Sequence, residues 1–127
     1  LILKEVLDTI ATWPDISVYA VIIDKQKYAT TGHDIFEWAW RLFLQRFDNT
    51  LGYRNFSGPQ NPKDLGSVIT DKTIEHKLKR LMRTMRYYNP VPSQFPGYSA
   101  RNLQTSCVTE DPILRDSGHS YFIQVLM

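Results

Sequence analysis

The chain has 127 residues, the size of one domain, and 43% of them are hydrophobic, enough for a packed core. Aromatic residues make up 13%, which excludes a disordered chain. A net charge of only +2 excludes any argument for nucleic-acid binding from overall charge, so local clusters must carry it.

Leu3, Val6, Leu7, Ile10 and Trp13 recur at helical spacing, and Pro14 closes that first helix. Residues 16–23 are β-branched and apolar without alternation, which predicts a strand buried on both faces and ended by Asp24. A polar loop follows. Asp34 and Glu37 have capping-box spacing and predict a helix over residues 34–51, with Gly52 as its C-cap. That helix is apolar on most sides, so it must be deeply buried or covered by a partner. Ser57-Gly58-Pro59 and Asn61-Pro62 are turn chemistry.

Residues 65–70 predict a second strand ended by Asp71. The helix after it presents Ile74, Leu78, Leu81, Met82 and Met85 on one face and stops at Asn89-Pro90. Residues 89–102 read as an irregular loop, residues 103–108 as a third strand broken by Asp111-Pro112, and a last helix is expected from Ser117. Neither repeats nor a second domain are visible, so residues 1–127 read as one α/β domain. Both ends run into apolar sequence, Leu1-Ile2-Leu3 and Tyr121 through Met127, and the chain is expected to be cut or shortened there.

Strands joined by helices normally lie parallel, and sites in such sheets gather at the strands' carboxyl ends. Asp24 and Asp71 each follow a strand. If the strands are neighbours, the two carboxylates share an edge and could hold Mg²⁺, which prefers oxygen ligands. The plain alternatives are an ordinary turn for Asp24 and a helix N-cap for Asp71. Glu110, Asp111 and Asp116 form a further acidic cluster in a loop. On the helix after Asp71, His76, Lys79, Arg83 and Arg86 share a face that could meet phosphates, or simply water. His33, His76, Cys107 and His119 lack zinc-ligand spacing, and no glycine-rich phosphate loop or nucleophile elbow is present. Cys107 is alone, which rules out an internal disulfide and fits a reducing, cytoplasmic setting. No apolar run approaches the ~18 residues of a membrane span and no signal peptide is visible, so no membrane partner is expected.

Five pieces then occur in order: Gly66-Ser67-Val68-Ile69-Thr70-Asp71-Lys72-Thr73, Lys79-Arg80-Leu81-Met82-Arg83, Tyr88-Asn89-Pro90-Val91-Pro92-Ser93, Glu110 through Ser117, and His119-Ser120-Tyr121-Phe122-Ile123-Gln124. In order and spacing the chain resembles the Domain of Unknown Function 3800 family from about Val18 onward. The resemblance implies a ribonuclease-H-like α/β fold, a setting among mobile elements and phage, and metal-dependent phosphodiester cleavage. It matches Asp71 to the aspartate closing a later strand and Gln124 to the glutamine of the family's final motif, with Ser120 in the same piece. Together with the strand-end placement above, the catalytic candidates are Asp71, Asp24 and Asp116, with Asp71 and Asp24 as the Mg²⁺ ligands. Lys79, Arg83 and Arg86 are candidate nucleic-acid contacts from their shared helix face, not from the resemblance. The family's first-strand acidic motif has no counterpart here, and Met127 stands where its final Gln-x-x-Asp motif has aspartate. Phosphoryl transfer on such a site needs several carboxylates, so cleavage is expected to be impaired. The alternative is a non-catalytic interaction or nucleic-acid-binding module. A homo-oligomer is expected, a two-fold dimer with Trp38, Trp40 or Phe43 near the contact.

Overall fold

The computed structural model describes residues 2–28, 32, 34–56, 61–72, 75–91, 96–116 and 118–120. The elements are α1 (Ile2–Ala11), α2 (Lys25–Tyr28), α3 (Ile35–Gly52), β1 (Ile69–Asp71), α4 (Glu75–Tyr87), β2 (Pro90–Val91), β3 (Arg101–Asn102) and β4 (Ile113–Arg115). The chain is mixed α/β: helices packed beside a two-stranded parallel sheet, β1 with β4, and a short antiparallel pair, β2 with β3.

The core lies between α3 and α4 and takes in Val68 and Val108 from the parallel-paired segments. Leu78, Leu81, Met82 and Met85 are buried at i, i+3, i+4 and i+7, the apolar face that the sequence of α4 lays out. Leu44, Val68 and Val108 complete the buried cluster, and Trp40, Phe43, Phe47 and Leu51 of α3 pack against it. Helix α3 starts as its capping sequence predicts: Asp34 Oδ1 accepts the backbone N–H of Phe36 at 2.9 Å and of Glu37 at 3.4 Å. Gly52 is the last helical residue rather than the cap. Tyr53 caps the helix, donating its N–H to the Asn49 carbonyl at 2.9 Å.

β1 and β4 pair in register Ile69↔Ile113, Thr70↔Leu114 and Asp71↔Arg115. Upstream, Gly66 bridges Val108 in the same parallel sense, its N–H donating to the Cys107 carbonyl at 2.8 Å. The partner strand advances five residues between these pairings while β1 advances three, so residues 109–112 form a bulge. Pro112, which lacks an N–H, sits in it. The expected third strand over residues 103–108 therefore contributes only Val108, and Asp111-Pro112 precedes a strand instead of ending one. The irregular loop over residues 89–102 is pinned at its two ends by Pro90↔Asn102 and Val91↔Arg101.

The predicted strand over residues 16–23 does not form: that stretch pairs with no other strand. Ile16, Val18 and Ile22 are exposed, while Tyr19 stacks on Phe43 with ring centroids 5.3 Å apart. β-branched residues favour extended backbone, but a strand exists only with a partner ladder, and among the described residues none pairs with this stretch. Asp24 and Asp71 consequently do not close neighbouring strands, and the edge they were expected to share is not there. The helix expected from Ser117 lies outside the described residues, apart from a turn at Gly118 and His119.

Candidate functional site

The carboxyl ends of two adjacent parallel strands do carry two aspartates, but the pair is Asp71 and Asp116. Asp71 ends β1 and Asp116 follows β4 directly. In a parallel pair, residues in register point to the same face, and successive residues point to opposite faces. The register sets Asp71 beside Arg115, and Lys72 and Asp116 are the residues that follow directly. An ion pair of 3.9 Å between Lys72 Nζ and Asp116 Oδ2 follows that placement. Asp116 is further held by its own turn. Its Oδ1 accepts the N–H of Gly118 at 2.9 Å, its carbonyl accepts the N–H of Ser120 at 2.8 Å, and its Oδ2 lies 3.5 Å from His119 Nδ1.

Hard oxygen donors are present at this edge, and Asp116 is already engaged by Lys72 and its own turn. Among the described residues no group of three or more His, Cys, Asp or Glu side chains converges to hold a metal ion. Asp24 is exposed and precedes α2: its Oδ1 accepts the N–H of Gln26 at 3.0 Å and caps that short helix. Ser120 sits in the turn after β4. Gln124 lies outside the described residues.

The three basic candidates on α4 each have a partner within the chain. Lys79 Nζ lies 2.8 Å from Glu75 Oε1. Arg83 grips Asp111 with two bonds, Nε at 2.9 Å and Nη2 at 2.8 Å, and Glu110 lies 4.0 Å away. That hydrogen-bonded fork holds the Asp111 carboxyl below the usual carboxylate range and raises the Arg83 guanidinium. Arg86 Nη1 donates to the Val108 carbonyl at 3.2 Å, tying α4 to the parallel strand. The acidic cluster of Glu110 and Asp111 is thus the counter-charge of Arg83.

Several placements escaped the sequence reading. Asn89 is wholly buried. Its amide accepts from Arg41 Nη1 at 3.1 Å and donates to Gln45 and to the Leu103 carbonyl. Asp48, buried on α3, accepts the N–H groups of Ser106 at 2.9 Å and Cys107 at 2.7 Å. Lys77 and Arg80 face α3 rather than the stripe of Lys79 and Arg83. The spacing of Lys77, Arg80, Leu81 and Thr84 is the one signal that marks this second polar flank. Helix α1 is amphipathic yet none of its residues is buried; Ile2, Leu3, Val6 and Leu7 are all exposed.

No family model, no curated protein and no solved structure matches this chain. Among the described residues, no helix is long and apolar enough to cross a membrane.

Proposed function

We propose that this chain is part of a phosphodiesterase-like domain of the Domain of Unknown Function 3800 type, on a ribonuclease-H-like plan, in which cleavage is impaired. The observation that carries the reading is Asp71 at the carboxyl end of a strand with a parallel neighbour, where α/β sheets place their chemistry. What supports impairment is that Asp116 is engaged by Lys72 and its own turn and that Met127 stands in the place of an acid. Mg²⁺ is the cation such a site takes when complete; there it polarises phosphate and activates water. In this chain Asp71 is the residue proposed to bear on a substrate phosphate, and Asp116 is occupied by Lys72 and its own turn.

Mn²⁺ calorimetry tests the reading, together with cleavage of fluorescent DNA and RNA. The unaltered chain is expected to bind Mn²⁺ weakly and to leave both substrates uncut. Met127→Asp should tighten Mn²⁺ binding several-fold, and Asp71→Asn added to it should reverse the gain. Mn²⁺ binding indifferent to both changes sinks the assignment of Asp71, and strong cleavage by the unaltered chain sinks the impairment.

A second reading, a module that associates with its own copies, is favoured by the exposed apolar stripe of α1 and by Val18 and Ile22 beyond it, 71% and 92% exposed. Trp40 and Phe43 pack against the core instead, so the contact is proposed at the N-terminal segment. The cytoplasmic setting remains part of the proposal.

A further inference from the structure

Two adjoining hollows lie along the start of α3. One, of about 350 Å³, sits between α3 and α4 and is lined by Asp34, Phe36, Glu37, Lys77, Arg80 and Leu81, among others. The other, of about 210 Å³, is lined by Asp34, Glu37, Trp38, Arg41, Tyr88 and Pro90. Both are walled by Asp34 and Glu37, so they adjoin as two compartments. Together they fall within the ~300–1,000 Å³ range of small-molecule sites.

The charges in this groove are nearly all answered. Asp34 is paired with Lys77 at 3.4 Å and Glu37 with Arg41 at 3.3 Å. Lys77 also covers one face of Phe36, 5.7 Å from the ring centroid. Arg80 is exposed and, among the described residues, makes no ion pair. One compartment therefore ends in a single unanswered positive charge beside apolar Leu81 and Phe36. The other ends in the ring of Tyr88, 61% exposed. A ligand that fits has one anionic end and one flat, π-bearing end. An exposed tyrosine ring is a stacking platform for any base, and an arginine fork matches phosphate oxygens.

We propose that this groove binds a single nucleotide unit, its phosphate on Arg80 and its base against Tyr88. A longer strand laid across α4 is disfavoured, because Lys79, Arg83 and Arg86 already hold partners. The unit has two possible sources, a free nucleotide or the phosphorylated end of a strand. The site uses neither Asp71 nor Asp116, so it stands whether or not the phosphodiesterase reading does.

The test is an NMR titration of the ¹⁵N-labelled chain with EDTA present, which separates it from any cation effect. The probes are AMP and a 5′-phosphorylated hexathymidylate. The amides of Leu81, Thr84 and Tyr88 should shift. Arg80→Gln should weaken binding about tenfold, as loss of one charged hydrogen-bonding group does. Tyr88→Ala should weaken it by a similar factor through lost stacking. Arg83→Gln, on the opposite flank, should change little. Tighter binding of AMP assigns the free nucleotide, and tighter binding of the oligonucleotide assigns the strand end. Absence of shifts with both probes at millimolar concentration overturns the site. So does binding that survives Arg80→Gln but is lost in Arg83→Gln.

Discussion

Two buried polar side chains do more to hold this chain's loops in place than any residue singled out for chemistry. Asp48 has one carboxylate oxygen taking two backbone N–H groups from the segment that leads into Val108. Asp48→Ala would orphan both donors in a buried place, and should cost about 2–4 kcal/mol in urea denaturation, whereas Asp48→Asn keeps an acceptor and should cost less. Asn89 anchors the other end: its N–H donates to Asn102 Oδ1 at 2.7 Å and its carbonyl accepts from Leu103 at 2.9 Å. Asn89→Leu should therefore be among the most damaging changes in the chain, at about 3 kcal/mol or more. At the surface, the Asp111 carboxyl is depressed chiefly by its hydrogen bonds from Arg83. A group with a lowered folded-state pKa contributes stability above its unfolded pKa and loses it as pH falls through the folded one. Thermal melts of the unaltered chain should drop on acidification below about pH 4, and Arg83→Ala should flatten that part of the profile.

The elements differ in how firmly their neighbours fix them. Where the bridge at Gly66 meets α3, a Cβ at that glycine would run into the Leu51 side chain and come within 2.7 Å of Phe47 Cζ. Gly66→Ala should destabilise by about 1–3 kcal/mol, since the packed side-chain ends of Leu51 and Phe47 have to shift. Helix α3 is apolar on several sides because it contacts more than one layer. Leu44 and Asp48 are buried, Trp40, Phe43 and Phe47 pack against the core, and Tyr19 stacks on Phe43. Trp40 also meets Phe43 edge-on, with centroids 5.4 Å apart. Trp40→Glu should accordingly lower the melting temperature and cost about 2–4 kcal/mol, rather than split a dimer that stays folded. A soluble, fully stable monomer released from an oligomer by this change would reverse the assignment of Trp40 to the core side.

At the scale of the whole molecule, exposed aliphatic residues gather at the N-terminal end among the described residues. Helix α1 has a clear apolar stripe and buries none of it. Sedimentation of the unaltered chain at high micromolar concentration should show association that Leu3→Glu with Leu7→Glu abolishes, with the melting temperature barely changed. A monomer at every concentration would remove self-association as a function.

Helices α1, α3 and α4 were legible in the sequence because their signals are local, while the four-residue α2 formed in a stretch that reads as a polar loop. Asp34 caps α3 through groups two and three residues on, and the buried face of α4 is a repeat of three and four residues that any neighbour would select. Strands lack such independence. Residues 16–23 have the composition of a strand and no ladder, while Ile113–Arg115 follow a proline and still pair with β1. A strand is decided by what lies beside it, and that information is spread over more than 40 residues of sequence. The same holds for the candidate site. The sequence placed Asp71 at a strand's carboxyl end. The tertiary pairing brought Asp116, rather than Asp24, to the neighbouring strand end. Charge behaves likewise: the pattern along α4 identified cations, but only folding determined which of them met an acid. Lys79 and Arg83 found acids, Arg86 found a carbonyl, and Arg80 was left facing the groove beside α3.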